Sequence, residues 1–238
     1  MNLIRLKKFI FIFFSKKYFT AAFKNRVFPS IEHNFLWTNE YKTIIDIGAN
    51  KGQFSLAARK NIPDSEIFAF EPLKKPGNIF RLLFSKDKHT HLFNIAIGAK
   101  KKESIMNVSH SDDSSSLLEI SDLQNDLFPN TYKDGSELIH EDTLESTMQD
   151  YVINSPSLLK IDVQGYELEV LKGCMSYMSK FDSVYCECSY MPLYKEQPLA
   201  NEIISYMESC GFVLDGIYNT AFTKYGKAIQ SDILFKKK

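Results

Sequence analysis

Residues 43–54, Thr-Ile-Ile-Asp-Ile-Gly-Ala-Asn-Lys-Gly-Gln-Phe, determine the predicted fold of this chain. The first five are rich in β-branched side chains, as in a buried parallel strand. Gly48 and Gly52 then bracket a tight turn, and a helical pattern follows over residues 54–60. A strand that turns directly into a helix leaves backbone N–H groups available to a ligand. Asp46 lies at the carboxyl end of the strand, where open α/β sheets bind ligands. The stretch therefore predicts a nucleotide-type cofactor loop.

The residues around the glycines separate two classes of cofactor. A dinucleotide fingerprint has glycines at its first, third and sixth places, whereas here Asn50 lies between Gly48 and Gly52. Asp46 precedes the first glycine, and a carboxylate there repels a pyrophosphate but suits the cationic ammonium and sulfonium of S-adenosylmethionine. Glu71 follows the next predicted strand, where its carboxylate can accept both hydrogen bonds of a ribose diol. The pattern favours S-adenosylmethionine over NAD.

Strands and helices alternate along the rest of the chain. Further strands are predicted over residues 67–70, 91–97, 158–163 and 183–188, with a final pair over 212–218 and 229–235. This alternation predicts an α/β fold with a mostly parallel sheet and helices on both faces. Residues 109–135 are rich in turn signals, and we expect them, with residues 190–198, to shape the pocket of the methyl acceptor.

The charge distribution limits the partners. Lys and Arg number 29, as do Asp and Glu, so no overall field steers the chain towards nucleic acid. Residues 1–31, however, contain seven basic residues and no acidic one, around an apolar run over residues 9–14 that is too short to span a membrane.

A linker is predicted over residues 29–41, so the sequence divides into a basic, aromatic-rich segment (1–40) and a catalytic domain (41–238). Two interpretations of the segment stay open. Residues 1–30 could lie on an anionic membrane surface, or they could form a helix that packs on the domain or on a partner subunit. The first interpretation places the protein in the cytoplasm, peripheral at the inner face of the membrane.

Taken together, these residues resemble the FkbM family of S-adenosylmethionine-dependent methyltransferases. The most specific part is residues 160–173, KIDVQGYELEVLKG, which is similar to the family signature KIDVEG.E.EVLKG, with Gln164 where Glu is usual. The resemblance covers roughly residues 43–218. Its supporting parts are residues 46–52, Phe70-Glu71-Pro72, residues 94–98, Thr143-Leu144, and Glu187 with Tyr194.

The resemblance implies a Rossmann-like class I methyltransferase fold, with a seven-stranded, mostly parallel sheet and an antiparallel final strand. It also implies the cofactor-binding residues: Asp46, Gly48, Asn50 and Gly52 around the methionine part, Glu71 at the ribose, and Asn94 to Ala96 near the adenine. Family members commonly methylate hydroxyl groups. We therefore expect O-methylation of a small molecule or glycan, on a sugar of a surface glycan or on a secondary metabolite.

Two carboxylates are candidate catalytic bases for removing the hydroxyl proton. Asp162 ends a predicted strand at the same sheet edge as Asp46 and Glu71, and it is the first candidate. Glu187, a charge inside the strand pattern over 183–188, is the second. Carboxylates that converge at one edge are costly unless a cation, sugar hydroxyls or a substrate proton lies between them. A metal ion bridging Asp162 and Glu187 is an alternative, but no His accompanies them in sequence, and we predict no metal site.

Two other functions compete with methyl transfer. An NAD-dependent sugar oxidoreductase would need a different glycine pattern, and the middle of the chain lacks a Tyr-x-x-x-Lys pair. A non-catalytic Rossmann-like scaffold would have no need of an intact cofactor loop, whereas the residues from Asp46 to Gly52 and Glu71 are all in place.

Overall fold

A computed structural model describes residues 25–238. Its strands, in chain order, are β1 (Thr43–Ile47), β2 (Glu66–Phe70), β3 (Thr90–Phe93), β4 (Ala96–Ile97), β5 (Lys102–Ser109), β6 (Lys133–Asp142), β7 (Ser157–Ile161), β8 (Ser183–Ser189), β9 (Phe212–Phe222) and β10 (Ala228–Lys237). Its α-helices are α1 (Gln53–Asn61), α2 (Lys74–Phe84), α3 (Asp122–Leu127), α4 (Leu144–Met148), α5 (Glu167–Gly173) and α6 (Ala200–Ser209). Short 3₁₀ helices cover Ile31–Asn39, Asp112–Ser114 and Met175–Lys180.

Seven strands form the main sheet, in the order β3-β2-β1-β7-β8-β10-β9. The first five in this order are parallel to one another, and β10 runs antiparallel to both of its neighbours. The mostly parallel seven-stranded sheet with an antiparallel final strand is confirmed. In the register, Asp46 of β1 lies opposite Lys160 of β7, which brings together two motifs that are far apart in sequence.

Helices cover both faces of this sheet, as predicted. On one face Ile45 and Ile47 pack with side chains of α4, α5 and α6. On the other face their neighbour Ile44 packs with Phe54 of α1 and with the 3₁₀ helix that precedes β1. All five residues of β1 and of β7 are buried, as expected for central parallel strands.

A second, three-stranded sheet in the order β4-β6-β5 lies beside the main one. It divides the strand predicted over residues 91–97, because β3 joins the main sheet and β4 the small one. Asn94 makes the division: its amide donates to the carbonyls of Glu71 (2.6 Å) and Pro72 (2.9 Å). The irregular stretch 109–135 contains α3 and the start of β6.

The predicted linker over residues 29–41 instead contains a 3₁₀ helix, Ile31–Asn39, that buries three of its side chains. Leu36 is fully buried and Trp37 nearly so, against Phe54 of α1. Residues 1–24, which carry most of the predicted membrane contact, lie outside the described residues. Within residues 25–238, no helix has both the length and the apolar character that crossing a membrane requires.

Candidate functional site

The glycine loop between β1 and α1 packs tightly against the end of β7. Gly48 has φ +77°, and a Cβ atom there would lie 1.8 Å from the carbonyl oxygen of Asp162. Gly52 has φ +93°, and its Cβ would lie 2.9 Å from the rings of Phe80 and Phe84. Both positions combine left-handed backbone with a close approach, so other residues would be strained there.

A buried ion pair lies beneath this loop. Asp46 is fully buried; one of its oxygens lies 3.1 Å from Lys160 Nζ and the other accepts from Ser55 Oγ at 2.7 Å. Lys160 also donates to the carbonyl of Gly48 at 3.0 Å. Burial alone would lower the pKa of Lys160, but the charges of Asp46 and Asp162 outweigh it and leave that pKa raised.

This pair gives Asp46 a partner within the chain, and its contact with the cofactor stays a prediction. The charge of Asp46 is matched by Lys160, and Asp46 lines neither of the cavities described below. A carboxylate at the centre of a buried strand needs such a partner. Asp46 and Lys160 together hold the glycine loop against β7.

Glu71, at the end of β2, is anchored by backbone donors. Its two carboxylate oxygens accept from the N–H groups of Asn50 (2.9 Å) and Leu73 (2.8 Å). Burial raises the pKa of Glu71 to about 7, although these two donors oppose the shift. Each oxygen keeps acceptor capacity beyond its one backbone bond, so the ionised carboxylate can also accept from ribose hydroxyls.

A cavity of about 390 Å³ opens over the loop, and we call it the glycine-loop cavity. Four of the predicted cofactor residues line it: Gly48, Asn50, Glu71 and Ala96. Gly52 and Asn94 do not line it; they support the loops behind it. Its volume and mixed apolar and polar lining suit a small-molecule cofactor. A carboxylate beside a glycine loop at a strand edge fits an S-adenosyl nucleoside.

The segment before β1 also contributes to this cavity. Arg26, Phe28 and His33 line it, although the sequence placed them outside the catalytic domain. His33 is held by Tyr185, whose hydroxyl lies 3.0 Å from His33 Nδ1 and donates to Asp232 at 2.8 Å. Burial lowers the pKa of His33, although Asp232 opposes it.

Asp162, just after β7, and Glu187, in β8, are linked through Gln164, a residue to which the sequence gave no role. Gln164 Nε2 donates to Asp162 at 2.8 Å and to Glu187 at 2.9 Å. Gln230, on β10, donates to the other oxygen of Glu187 at 2.7 Å. Burial raises the pKa of Glu187 well above its usual value, and the charge of Asp162 adds to the effect.

A second cavity, of about 500 Å³, adjoins the first, and we call it the serine-lined cavity. Eight of its lining residues come from the stretch 109–135: Ser111, Asp113, Ser114, Gln124, Leu127, Phe128, Pro129 and Thr131. The rest are Asp162, Gln164, Glu187 and Gln230. Asp113, Asp162 and Gln164 line both cavities, so the two spaces meet at the end of β7. Residues 190–198 contribute Tyr194, which supports Gln164 from behind.

Sequence reasoning missed Lys160, Gln164 and Gln230. Lys160 did leave a signal, because it is a charge in an otherwise apolar buried strand and so requires a partner. Gln164 and Gln230 left none, since their roles depend on contacts between β7, β8 and β10. Within residues 25–238, no group of three or more His, Cys, Asp and Glu side chains could hold a metal ion.

Comparison with known proteins identifies the domain. Residues 46–214, more than half of the chain, match the family model described as "Methyltransferase FkbM domain". No curated protein matches the sequence.

One solved structure supports the fold, and others resemble the chain more weakly. The chain is similar to the methyltransferase FkbM of Methylobacillus flagellatus KT, with a TM-score of 0.52 and 13% identity; the match covers 82% of this chain and 44% of that one. This chain thus spans less than half the length of that protein. Two others are M. capricolum TrmK in complex with S-adenosyl-homocysteine (TM-score 0.49, 10% identity, 86% and 66% covered) and Aeropyrum pernix fibrillarin with bound S-adenosyl-L-methionine (TM-score 0.48, 9% identity, 83% and 66% covered).

Proposed function

The chain belongs to the FkbM methyltransferase family, whose cofactor is S-adenosylmethionine, and from that premise we propose that it is an O-methyltransferase. The proposed acceptor is a hydroxyl group on a sugar of a surface glycan or on a secondary metabolite. One observation carries the proposal: Asp162, a carboxylate that can act as base, lines both the glycine-loop cavity and the serine-lined cavity. Donor and acceptor can then meet at a single carboxylate.

The glycine-loop cavity takes the donor in this proposal. Glu71 accepts from the ribose hydroxyls, Gly48 and Asn50 border the methionine part, and Ala96 lies at the adenine end. When bound, S-adenosylmethionine supplies an electrophilic methyl group on a positively charged sulfur. The contribution of the chain is to hold this donor and the acceptor oxygen in a near-attack arrangement, which is where such enzymes gain most.

The serine-lined cavity takes the acceptor. Its hydroxyl and amide side chains, from Ser111, Gln124 and Thr131, suit the many hydroxyl groups of a sugar, and Phe128 offers an aromatic face. The charge balance of the chain gives no reason to propose a nucleic-acid acceptor. We also propose a cytoplasmic location with peripheral membrane contact through residues 1–30, which would bring a lipid-linked glycan within reach.

Asp162 is the proposed base, and Glu187 assists it. The raised pKa of Glu187 means that this carboxyl holds its proton over a wider pH range and is the poorer acceptor. Asp162 is more accessible, with 39% of its side chain exposed, and it lines both cavities. Asp162 would take the acceptor's hydroxyl proton, and the S-adenosylmethionine held by Gly48, Asn50 and Glu71 would supply the methyl group.

The test uses Asp162→Asn with Asp215→Asn as its matched control. The Asp215 carboxylate has similar exposure, 35%, and pairs with Lys236 away from both cavities. Isotope-labelled methyl transfer to a glycan extract from cells that lack the protein measures activity, and calorimetry measures S-adenosylmethionine binding. We expect Asp162→Asn to lower transfer by about 10²- to 10⁴-fold with cofactor affinity nearly unchanged, and Asp215→Asn to behave as wild type.

Two outcomes would contradict parts of the proposal. Full transfer by Asp162→Asn would remove Asp162 as the base. If wild-type protein binds S-adenosylmethionine but labels nothing in the extract, the glycan acceptor is wrong. A thermal-shift comparison of S-adenosylmethionine, S-adenosylhomocysteine and NAD separates a methyltransferase from an oxidoreductase or an empty scaffold, since a ligand of the native state raises its apparent stability.

A further inference from the structure

Gln164 occupies the space between the two candidate carboxylates. Its amide nitrogen has two hydrogens, and one is directed at Asp162 while the other is directed at Glu187. Because both carboxylate oxygens bond to the same nitrogen, they are close neighbours, and without a donor between them their charges would repel. The amide thus fills the position where the sequence left open a bridging metal ion.

The surroundings favour one orientation of the amide. Gln164 Oε1 accepts from the hydroxyl of the buried Tyr194 at 2.9 Å, and it is the nearer of two acceptors for that proton, since the Ser114 carbonyl lies 3.2 Å away. The opposite orientation would direct the amide oxygen at the Asp162 carboxylate. These contacts place the amide nitrogen on the side of Asp162 and Glu187.

The backbone of Gln164 is also held in an uncommon conformation. Its φ is +57°, in the left-handed region that is unfavourable for a non-glycine residue. Ser116 Oγ donates to the Gln164 carbonyl at 2.6 Å, and the buried Glu167 carboxylate accepts from the N–H groups of Gly165 (2.9 Å) and Val163 (3.3 Å). Such strain persists where surrounding contacts over-determine it, commonly at functional sites.

We propose that Gln164 is a positioning residue: its amide nitrogen holds the Asp162 and Glu187 carboxylates as a fixed pair beside the serine-lined cavity, without a divalent cation. The inference rests on the proposed function, because the pair matters only if Asp162 takes the acceptor proton. Gln164 would act through Asp162 and would not contact the reacting atoms.

The experiment compares Gln164→Leu with Gln230→Leu in the full chain. Both substitutions remove an amide donor from Glu187, but only the first breaks the link to Asp162. The other titratable groups around the pair are Lys160 on β7, Glu167 on α5, Asp232 on β10, Asp113, Tyr194, and His33 of the 3₁₀ helix before β1, and both variants retain them.

We expect Gln164→Leu to lower kcat by about 10²-fold and to move the acid limb of its pH profile upwards by roughly one pH unit or more, because two adjacent carboxylates no longer share a donor. The KM for the acceptor and the affinity for S-adenosylmethionine should change little. Gln230→Leu should lower kcat only a few-fold. Equal effects of the two variants, or an unchanged pH profile in Gln164→Leu, would overturn the proposal.

A measurement that does not depend on activity distinguishes the positioning role of Gln164 from the proposed O-methyltransferase function. Carboxyl carbon NMR should show Glu187 titrating at higher pH in Gln164→Leu than in wild type, because its carboxylate has lost the Gln164 donor. If the titration changes in this way but the wild-type protein transfers no methyl group, the O-methyltransferase proposal is rejected and the geometric role of Gln164 is retained. An unchanged titration would reject the role.

A separate experiment tests whether the Asp162–Glu187 pair works without a divalent cation. Wild-type transfer should withstand EDTA, whereas Gln164→Glu, with three adjacent carboxylates, should bind Mn²⁺ measurably by calorimetry. If EDTA abolishes wild-type transfer and Mg²⁺ restores it, the cation-free pair is wrong. If Gln164→Leu does not fold, Gln164→Glu provides a second comparison of the Glu187 titration, since it too lacks the bridging donor and its added carboxylate shifts the titration in the same direction.

Discussion

The glycine-loop cavity and the serine-lined cavity meet at Asp162, but the chain builds them differently. The first is formed largely around backbone groups at adjoining strand ends, with Glu71 held by two N–H donors and Gly48 in contact with the next strand. The second depends on side chains from residues 111–131 and from Glu187 and Gln230 on later strands. A site made from local turns leaves a short motif in the sequence. A site assembled from distant side chains does not.

The largest expected effect comes from a substitution that disrupts the glycine-loop cavity. Gly48→Ala places a Cβ atom against the Asp162 carbonyl and adds left-handed strain, so we expect a loss of about 2–5 kcal/mol of unfolding free energy and no detectable S-adenosylmethionine binding. Gly226→Ala is the matched control, because its φ is +78° and a Cβ there meets nothing within 4 Å. It should cost only about 1–2 kcal/mol and leave binding intact. Urea unfolding and calorimetry measure both; equal costs would show that the close approach is unimportant.

A smaller effect, on cofactor affinity, is expected from the carboxylate of Glu71 in the glycine-loop cavity. Glu71 has a pKa of about 7, and it accepts ribose hydroxyls best when ionised, so cofactor affinity should rise about tenfold from pH 6 to pH 8. Glu71→Gln should lower the affinity at pH 8 by about 10- to 100-fold and flatten its pH dependence. Calorimetry over this range measures both effects.

The control for this prediction is Glu167→Gln. Glu167 is also buried, accepts from backbone N–H groups, and has its pKa raised by burial to about 7, but it lines neither cavity. Its variant should retain the rise in affinity with pH. If the rise persists in Glu71→Gln and disappears in Glu167→Gln, the ribose contact has been assigned to the wrong residue.

The smallest expected effect comes from a substitution in the serine-lined cavity. Phe128→Ala removes an aromatic face from the serine-lined cavity, so the KM for the acceptor should rise roughly 3- to 10-fold, with no change in the affinity for S-adenosylmethionine. Phe222→Ala is the control, since that side chain is 60% exposed on β9. Weaker cofactor binding in Phe128→Ala would mean that the two cavities are not separate sites. Steady-state kinetics with the labelled glycan extract gives the KM.

The same difference explains what could be predicted from the sequence. β1 and β7 were predictable because runs such as Thr43–Ile47 and Ser157–Ile161 are apolar and end in motif residues. The strand predicted over 91–97 was divided by contacts of Asn94 with β2, which no local pattern reports. The 3₁₀ helix over Ile31–Asn39 lacks the periodicity of an α-helix, and tertiary contacts such as the burial of Leu36 and Trp37 stabilise it.

At the site, the predicted residues lie close together. Glu71 lies where its spacing from Asp46 placed it, on the cavity wall. Asp46 is paired beneath the loop, because a fully buried carboxylate requires a cation and Lys160 lies opposite it in the register. The order of strands in the sheet cannot be derived from local sequence pattern. The Asp46–Lys160 pair depends on that order, so it could not be predicted either.

The Asp46–Lys160 ion pair has a consequence for how such chains diverge. The glycine loop and the block that begins at Lys160 are separated by more than a hundred residues, yet each would leave an unpaired buried charge if the other were exchanged, at a cost of about 3–5 kcal/mol. We therefore expect the two segments to be exchangeable only together. A chimaera that takes residues 43–54 from a relative without an acidic residue at position 46 should leave Lys160 unpaired, and it should need both segments transplanted before it folds.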